Sequence, residues 1–171
     1  TLKEYGLSNL YGDMNFSWIK NTDLNEFSAD INLSEGLLLK NKFSGFIGNI
    51  SGKITNAQFA GKTYGNLYGW RYNSYNWDSL KFYVDLSNDN WDSLNFNAIS
   101  TMGDKIQFSA KQKPSGDISV TTFAGILKQT ELNIQPFDIN KREDYFHFPQ
   151  IDIKLGGSKM TIKGDIRGKN H

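Results

Sequence analysis

Apolar residues recur at every second position along most of this chain, and that regularity limits it to one kind of fold. Leu80, Phe82, Val84 and Leu86 alternate with Lys81, Tyr83, Asp85 and Ser87. A period of two places the apolar side chains on one face of a strand and the polar ones on the other, so one face is dry. The same grammar runs through Met14/Phe16/Trp18, Ala29/Ile31/Leu33, Leu94/Phe96/Ala98, Ile106/Phe108/Ala110, Ile118/Val120, Leu132/Ile134, Ile151/Ile153/Leu155 and Met160/Ile162. Turn residues punctuate it at Gly12-Asp13, Ser34-Glu35-Gly36, Met102-Gly103-Asp104, Pro114-Ser115-Gly116-Asp117 and Gly156-Gly157-Ser158. About a dozen short strands at the ~8–12-residue spacing of all-β architectures follow. The expected fold is all-β, a folded-over antiparallel or groove-like sheet with at most one or two short helices. Those helices are expected near Leu2 to Asn9 and, for one turn, around Asn140 to Asp144.

Asn-Trp-Asp-Ser-Leu occurs twice, at Asn76–Leu80 and Asn90–Leu94. The alternation restarts after the second copy, so the repeat reads as the mouth of successive strands rather than as a ligand code. On that reading Trp77 and Trp91 occupy near-equivalent positions, and Asp78 lies close to Asp92 at one edge.

The 171 residues suffice for one core and not for two, so residues 1–171 read as a single β-groove domain. Because the chain begins at Thr1, it is read as an excised segment of a longer protein. With 19 Lys+Arg against 18 Asp+Glu the net charge is +1, and nucleic acid is not an expected partner. There is no cysteine, hence no disulfide framework and no thiolate metal site. Neither a signal-peptide pattern nor an apolar run long enough to cross a bilayer occurs.

Catalytic chemistry finds few residues to work with. Of the two histidines, His171 is terminal and His147 lies in Phe146-His147-Phe148, on the polar side of an aromatic strand. Gly61-Lys62-Thr63 has Asn56 where a phosphate loop needs glycine. Paired carboxylates for glycoside hydrolysis, Asp78 with Asp92 or Asp85 with Asp89, are the one enzymatic alternative. Asn-x-Ser sequons at Asn15, Asn32 and Asn49 matter only in a eukaryotic secretory route. The expectation is a non-enzyme with no catalytic residue, no metal and no cofactor.

Function then falls to the dry face, or to the aromatic residues beside it. A closed sandwich would spend the dry face on its own core. Left partly open, it would present a trough in which Leu80, Phe82, Val84, Phe96, Ile106, Phe108 and Val120 contact the acyl chains of a phospholipid or other lipid. The alternative is a carbohydrate-binding module that stacks sugars on Trp70, Tyr72, Tyr75 and Trp77, with Asn73 and Asn76 supplying hydrogen bonds.

Three stretches carry a family resemblance. Leu2 to Trp18 followed by Phe27 to Leu39, then Gly52 to Leu67, then Asp152 to Ile166 resemble recurring phrases of the AsmA-like bacterial envelope proteins, to which YhdP and TamB belong. The resemblance implies a periplasmic β-groove, the β-taco, within an inner-membrane-anchored protein. Such a segment helps bridge phospholipids between inner and outer membranes. Neighbouring segments of the same protein, met through sheet edges, are a further candidate partner that the sequence leaves open. A further alternative is the small β-domain of surface lipoproteins, in which Ile50 to Asn56 and Phe59-Ala60-Gly61 have counterparts.

Overall fold

The computed structural model describes residues 6–20, 24–56, 58–72, 75–87 and 90–167. Among them no helix occurs, and thirteen strands join one antiparallel sheet. The strands are β1 (Leu7–Lys20), β2 (Asn25–Leu38), β3 (Asn41–Phe43), β4 (Gly45–Thr55), β5 (Gln58–Tyr72), β6 (Tyr75–Ser87), β7 (Asn90–Ser100), β8 (Lys105–Gln112), β9 (Ile118–Leu127), β10 (Thr130–Ile134), β11 (Phe137–Lys141), β12 (Tyr145–Leu155) and β13 (Ser158–Arg167). β3 and β4 lie end to end along β2, and β10 and β11 lie end to end along β9 and β12. Thirteen strands therefore make eleven rungs, each hydrogen-bonded to the rung before and after it in sequence. Among the described residues β1 and β13 pair only with their sequence neighbours, so within these residues they are the two edge strands of the sheet.

The alternation in the sequence becomes rows across the sheet. Phe82 faces Phe96, Phe96 faces Phe108, and Phe108 faces Phe123. On the other surface Lys81 faces Asn97 and Asn97 faces Gln107. Directly opposed residues share a face, so one surface is apolar from rung to rung and the other is mainly polar, with Ile47, Ile99 and Ile126 exposed on it.

The dry surface is closed in the middle and open at the ends. Leu67, Ala98, Ala110 and Val120 are buried, yet Met14 and Phe16 on β1 are 65% and 64% exposed and Met160 on β13 is 55% exposed. Laid flat, β1 and β7 would stand about 24 Å apart at ~4.8 Å per rung. Leu7 and Leu10 of β1 nevertheless line the same cavity as Phe96 of β7, so the sheet is folded over on its apolar side.

Several local expectations are corrected. Asn9 and Leu10, at the end of the segment expected to be helical and just beyond it, belong to β1, while residues 1–5 lie outside the described residues. Asn140 and Lys141 end β11 rather than forming a helical turn. Gly12-Asp13 is not a turn but the bulge of β1, where Gly12 adopts φ +150 and the register against β2 shifts. A Cβ at Gly12 would lie 2.2 Å from the Asn32 carbonyl oxygen, so only glycine fits this bulge. Ser34-Glu35-Gly36 runs inside β2, and the chain reverses instead at Leu39-Lys40. Trp77 pairs with Trp70 and Ser100, whereas Trp91 pairs with Leu86. Because β6 and β7 are antiparallel, the two repeats begin at opposite ends of the sheet. Asp78 and Asp92 are separated by roughly seven residues of strand, about 23 Å at ~3.3 Å per residue.

Two hairpins close without the usual residues. Leu39-Lys40 and Lys128-Gln129 occupy both central positions of two-residue turns with positive φ, at 52 and 66 and at 47 and 64. Each non-glycine residue in this left-handed region costs about 1 kcal/mol. Asp104 holds the second turn in place: its Oδ1 accepts the Lys128 N–H at 2.6 Å from a side chain that is 2% exposed. Replacing Lys128-Gln129 by Asn-Gly keeps that backbone donor and relieves the strain. Urea denaturation should show a gain of about 1 kcal/mol. A loss would mean that the two side chains contribute more than their backbone strain costs.

Candidate functional site

The dry face carries two apolar clefts. The first has a volume of about 450 Å³ and is walled only by apolar side chains. Leu80, Phe82 and Phe96 form its floor, Phe46 and Leu67 continue it, and Leu7, Leu10 and Met14 of β1 lean over its side. Its volume lies within the ~300–1,000 Å³ range of small-molecule sites. Glycine shapes it. Phe46 and Phe82 stack with centroids 6.4 Å apart across β5, where Gly65 separates them. A Cβ at Gly65 would lie 2.5 Å from the Phe82 ring and 2.7 Å from the Phe46 ring.

The second cleft, about 400 Å³, is lined by Tyr72, Tyr75, Trp77, Ile106, Leu127 and Leu155 along with Lys128 and Thr130. Ile106 and Leu155 are dry-face residues, so three of the four rings proposed for sugar stacking line the trough. Tyr75 and Trp77 pack against each other at 6.3 Å, and Trp70 packs on Tyr72 at 5.3 Å while its Nε1 donates to the Leu38 carbonyl at 3.4 Å. Asn73 lies outside the described residues, and the carbonyl of Asn76 accepts the Thr101 N–H at 3.0 Å.

The seven residues expected to contact lipid share one face but not one environment. Leu80, Phe82 and Phe96 line the first cleft and Ile106 the second. Phe108 packs edge-on against Phe123 at 5.7 Å, Val84 is half-buried between Thr63 and Leu94, and Val120 is 1% exposed and beyond the reach of a guest. Sequence reasoning did not include Leu7, Leu10, Phe46 and Leu67. Leu7 and Leu10 straddle the β1 irregularity that begins near Asn9, which has φ +51, and so depart from the period of two.

A third opening, about 690 Å³, lies where β2 and β4 to β7 meet solvent at the opposite end from Trp77, with Phe27 and Leu86 beside charged residues. Lys53 binds Glu26 at 2.8 Å, and the Ser87 hydroxyl donates to Asp92 at 2.7 Å. Asp85 accepts from Ser93 at 2.7 Å and Tyr83 at 2.9 Å. The Ser93 hydrogen bond, helped by Tyr83 and by the charge of Lys62, holds the Asp85 carboxyl below its ordinary value against a smaller opposing effect of burial. Of the carboxylate pairs considered for glycoside hydrolysis, Asp78 and Asp92 are held at opposite ends of the sheet, and Asp89 lies outside the described residues. His147 Nδ1 meets Asp165 Oδ1 at 2.7 Å between β12 and β13, both side chains about half exposed. No group of three or more His, Cys, Asp or Glu side chains suited to a metal occurs among the described residues.

No family model matches this chain. No curated protein and no solved structure matches it either.

Proposed function

We propose that this chain is a non-enzymatic lipid-shielding segment whose folded-over sheet holds the acyl chains of a phospholipid, or of another lipid, against its dry face. The observation that carries the reading is the first cleft. It has about 450 Å³ of space walled solely by apolar side chains, on a face that is buried at its centre and exposed at both edges. Each methylene drawn out of water contributes about 0.8 kcal/mol. Roughly ten of them offset the several kcal/mol that association costs without any polar anchor. A site of this kind grips by area rather than by chemistry, which suits a carrier that must release its cargo. The resemblance of Gly52 to Leu67 and of Asp152 to Ile166 to AsmA-like proteins agrees with this reading. It extends the proposal to a periplasmic segment of an inner-membrane-anchored protein that passes phospholipid toward the outer membrane.

The test is binding of a fluorescent fatty acid to the 171-residue chain, together with native mass spectrometry of protein purified gently from cell envelopes. Emission should rise on binding, and a co-purifying lipid mass should appear. Met14→Glu is the informative variant, because Met14 lines the cleft yet is 65% exposed, so a charge there should leave the fold intact. It should weaken probe binding at least tenfold while leaving the circular dichroism spectrum unchanged. Absence of both lipid and probe binding would end the proposal. Retention on a glycan array that is lost in Trp70→Ala or Trp77→Ala would replace it with the carbohydrate reading.

A further inference from the structure

The two edge strands of the sheet differ in what they offer a partner. β1 presents Met14, Phe16 and Trp18 on its dry side, each more than half exposed, with Asp13 and Lys20 as its only charges. β13 is exposed along its whole length and strictly two-sided. Met160, Ile162, Gly164 and Ile166 continue the dry face, and Lys159, Thr161, Lys163, Asp165 and Arg167 continue the polar one. An exposed edge strand is a template for another strand, and charge placement decides which strand it accepts.

Geometry narrows the choice of partner. Eleven alternating rungs make β1 and β13 run in the same direction. A second copy joined β13 to β1 with its dry face on the same side would therefore pair in parallel. Joined antiparallel by that route, its dry face would turn to the opposite side. A two-fold axis perpendicular to the sheet avoids both outcomes. It sets β13 against β13 of the second copy, antiparallel, with the two dry faces continuous.

In such a pair directly opposed residues share a face, so the axis must pass through a residue rather than between two. An axis at Thr161 sets Lys159 against Lys163. An axis at Lys163 sets that lysine against itself and Lys159 against Arg167. An axis at Gly164 matches Lys163 with Asp165, but it sets Ser158, Lys159 and Met160 against positions beyond the described residues, so fewer of the described residues pair. An axis at Ile162 sets Lys159 against Asp165 twice, Thr161 against Lys163 twice, Met160 against Gly164, and Ile162 against itself; within one copy Lys159 holds Asp152 at 3.1 Å and Asp165 holds His147 at 2.7 Å, and the pairs across the axis share these half-exposed side chains. This central register matches opposite charges and also pairs nearly the whole strand. The corresponding registers of β1, centred on Asn15 or Phe16, oppose no pair of unlike charges.

We infer that β13 is a self-pairing edge that joins two copies of this chain about a two-fold axis at Ile162, extending one sheet and one dry face across both. Like-charge cost disfavours the Thr161 and Lys163 registers, lost pairing disfavours the Gly164 register, and the axis closes the assembly at two copies. The inference does not depend on lipid, because the register follows from the sequence of β13 alone.

Light scattering during gel filtration of the 171-residue chain should report twice the 19.4 kDa mass, with dissociation on dilution. Asp165→Lys should return the protein to a monomer with an unchanged circular dichroism spectrum. The double variant Lys159→Asp/Asp165→Lys should restore the dimer, which the Gly164 register would not allow because it opposes Lys163 to position 165. The absence of native cysteine allows a second readout. Ile162→Cys places two thiols across the axis at the ~4.5–5.5 Å Cα spacing of opposed strand residues, within disulfide reach. It should cross-link on mild oxidation, while Phe16→Cys on β1 should not. A chain that stays monomeric at all concentrations, larger open-ended assemblies, cross-linking through Phe16→Cys instead, or failure of the double variant to restore pairing would each overturn the inference.

Discussion

Phe82→Asp should lower the stability of this protein by about 4 kcal/mol, while Tyr83→Asp, one residue along the same strand, should cost about 1 kcal/mol. Phe82 stands between Gly65 on β5 and Phe96 on β7, stacks on Phe46, and floors the apolar cleft. Truncating a fully buried phenylalanine costs about 3–5 kcal/mol, and for the half-buried Phe82 the truncation alone should cost about 2–3 kcal/mol. The aspartate would add a carboxylate with no partner among the residues that wall the cleft. Tyr83 points to the polar surface, where its hydroxyl donates to Asp85 at 2.9 Å. An aspartate there loses one half-exposed hydrogen bond and sets a like charge beside Asp85. Urea denaturation of the two variants separates the faces. Equal losses would contradict the assignment of a dry side and a wet side to β6.

Gly65→Val tests the second pillar of the cleft. β-propensity alone favours valine over glycine in a strand by up to ~1 kcal/mol. The structure predicts the opposite sign. A Cβ at this position falls 2.5 Å from one phenylalanine ring and 2.7 Å from the other, closer than real contacts allow. Overpacking of this kind typically costs about 1–3 kcal/mol, and valine adds two further methyl groups. A net loss of about 2 kcal/mol in thermal unfolding is expected, accompanied by weaker probe binding as the rings are displaced. A gain in stability would mean that Phe46 and Phe82 swing aside freely and that the cleft is not held open by them.

How far the sequence disclosed this architecture depends on whether the residues announced their face. On β6, β7 and β8 every dry position that lines the trough is a visible hydrophobe, so Leu80, Phe82, Phe96, Ile106 and Phe108 stood out at once. On β4 and β5 the dry positions include Gly48, Gly52, Gly61 and Gly65, which have no side chain with which to mark a period. Their task is to leave room for rings borne elsewhere: Phe27 stacks on Phe59 at 5.8 Å over Gly52, as Phe46 does on Phe82 over Gly65. Alternation was therefore faint where the cleft is deepest, and Phe46 and Leu67 escaped notice.

Direction was the other hidden quantity. The repeated Asn-Trp-Asp-Ser-Leu correctly marked the starts of two successive strands, but equivalence in sequence becomes equivalence in space only if the strands run the same way. Antiparallel pairing sends Trp77 to the mouth beside Tyr75 and Leu155, and Trp91 to the far end beside Leu86. The turns show a similar gap. Gly103, Gly116 and Gly156 sit at positive φ in turns that the sequence marked, whereas Leu39-Lys40 and Lys128-Gln129 carry no turn signature and are held by their surroundings. Asp104, buried under the second of these, could be placed only once β7–β8 and β9–β10 were seen side by side.

The unbroken rung order has a kinetic corollary. Nearly every ladder bond joins chain segments that are close in sequence, so the loops closed during assembly are short and inexpensive in entropy. Such a ribbon zips up hairpin by hairpin from any interior start and frays from its margins inward. Loss of a marginal hairpin would shorten the trough without dissolving the rest.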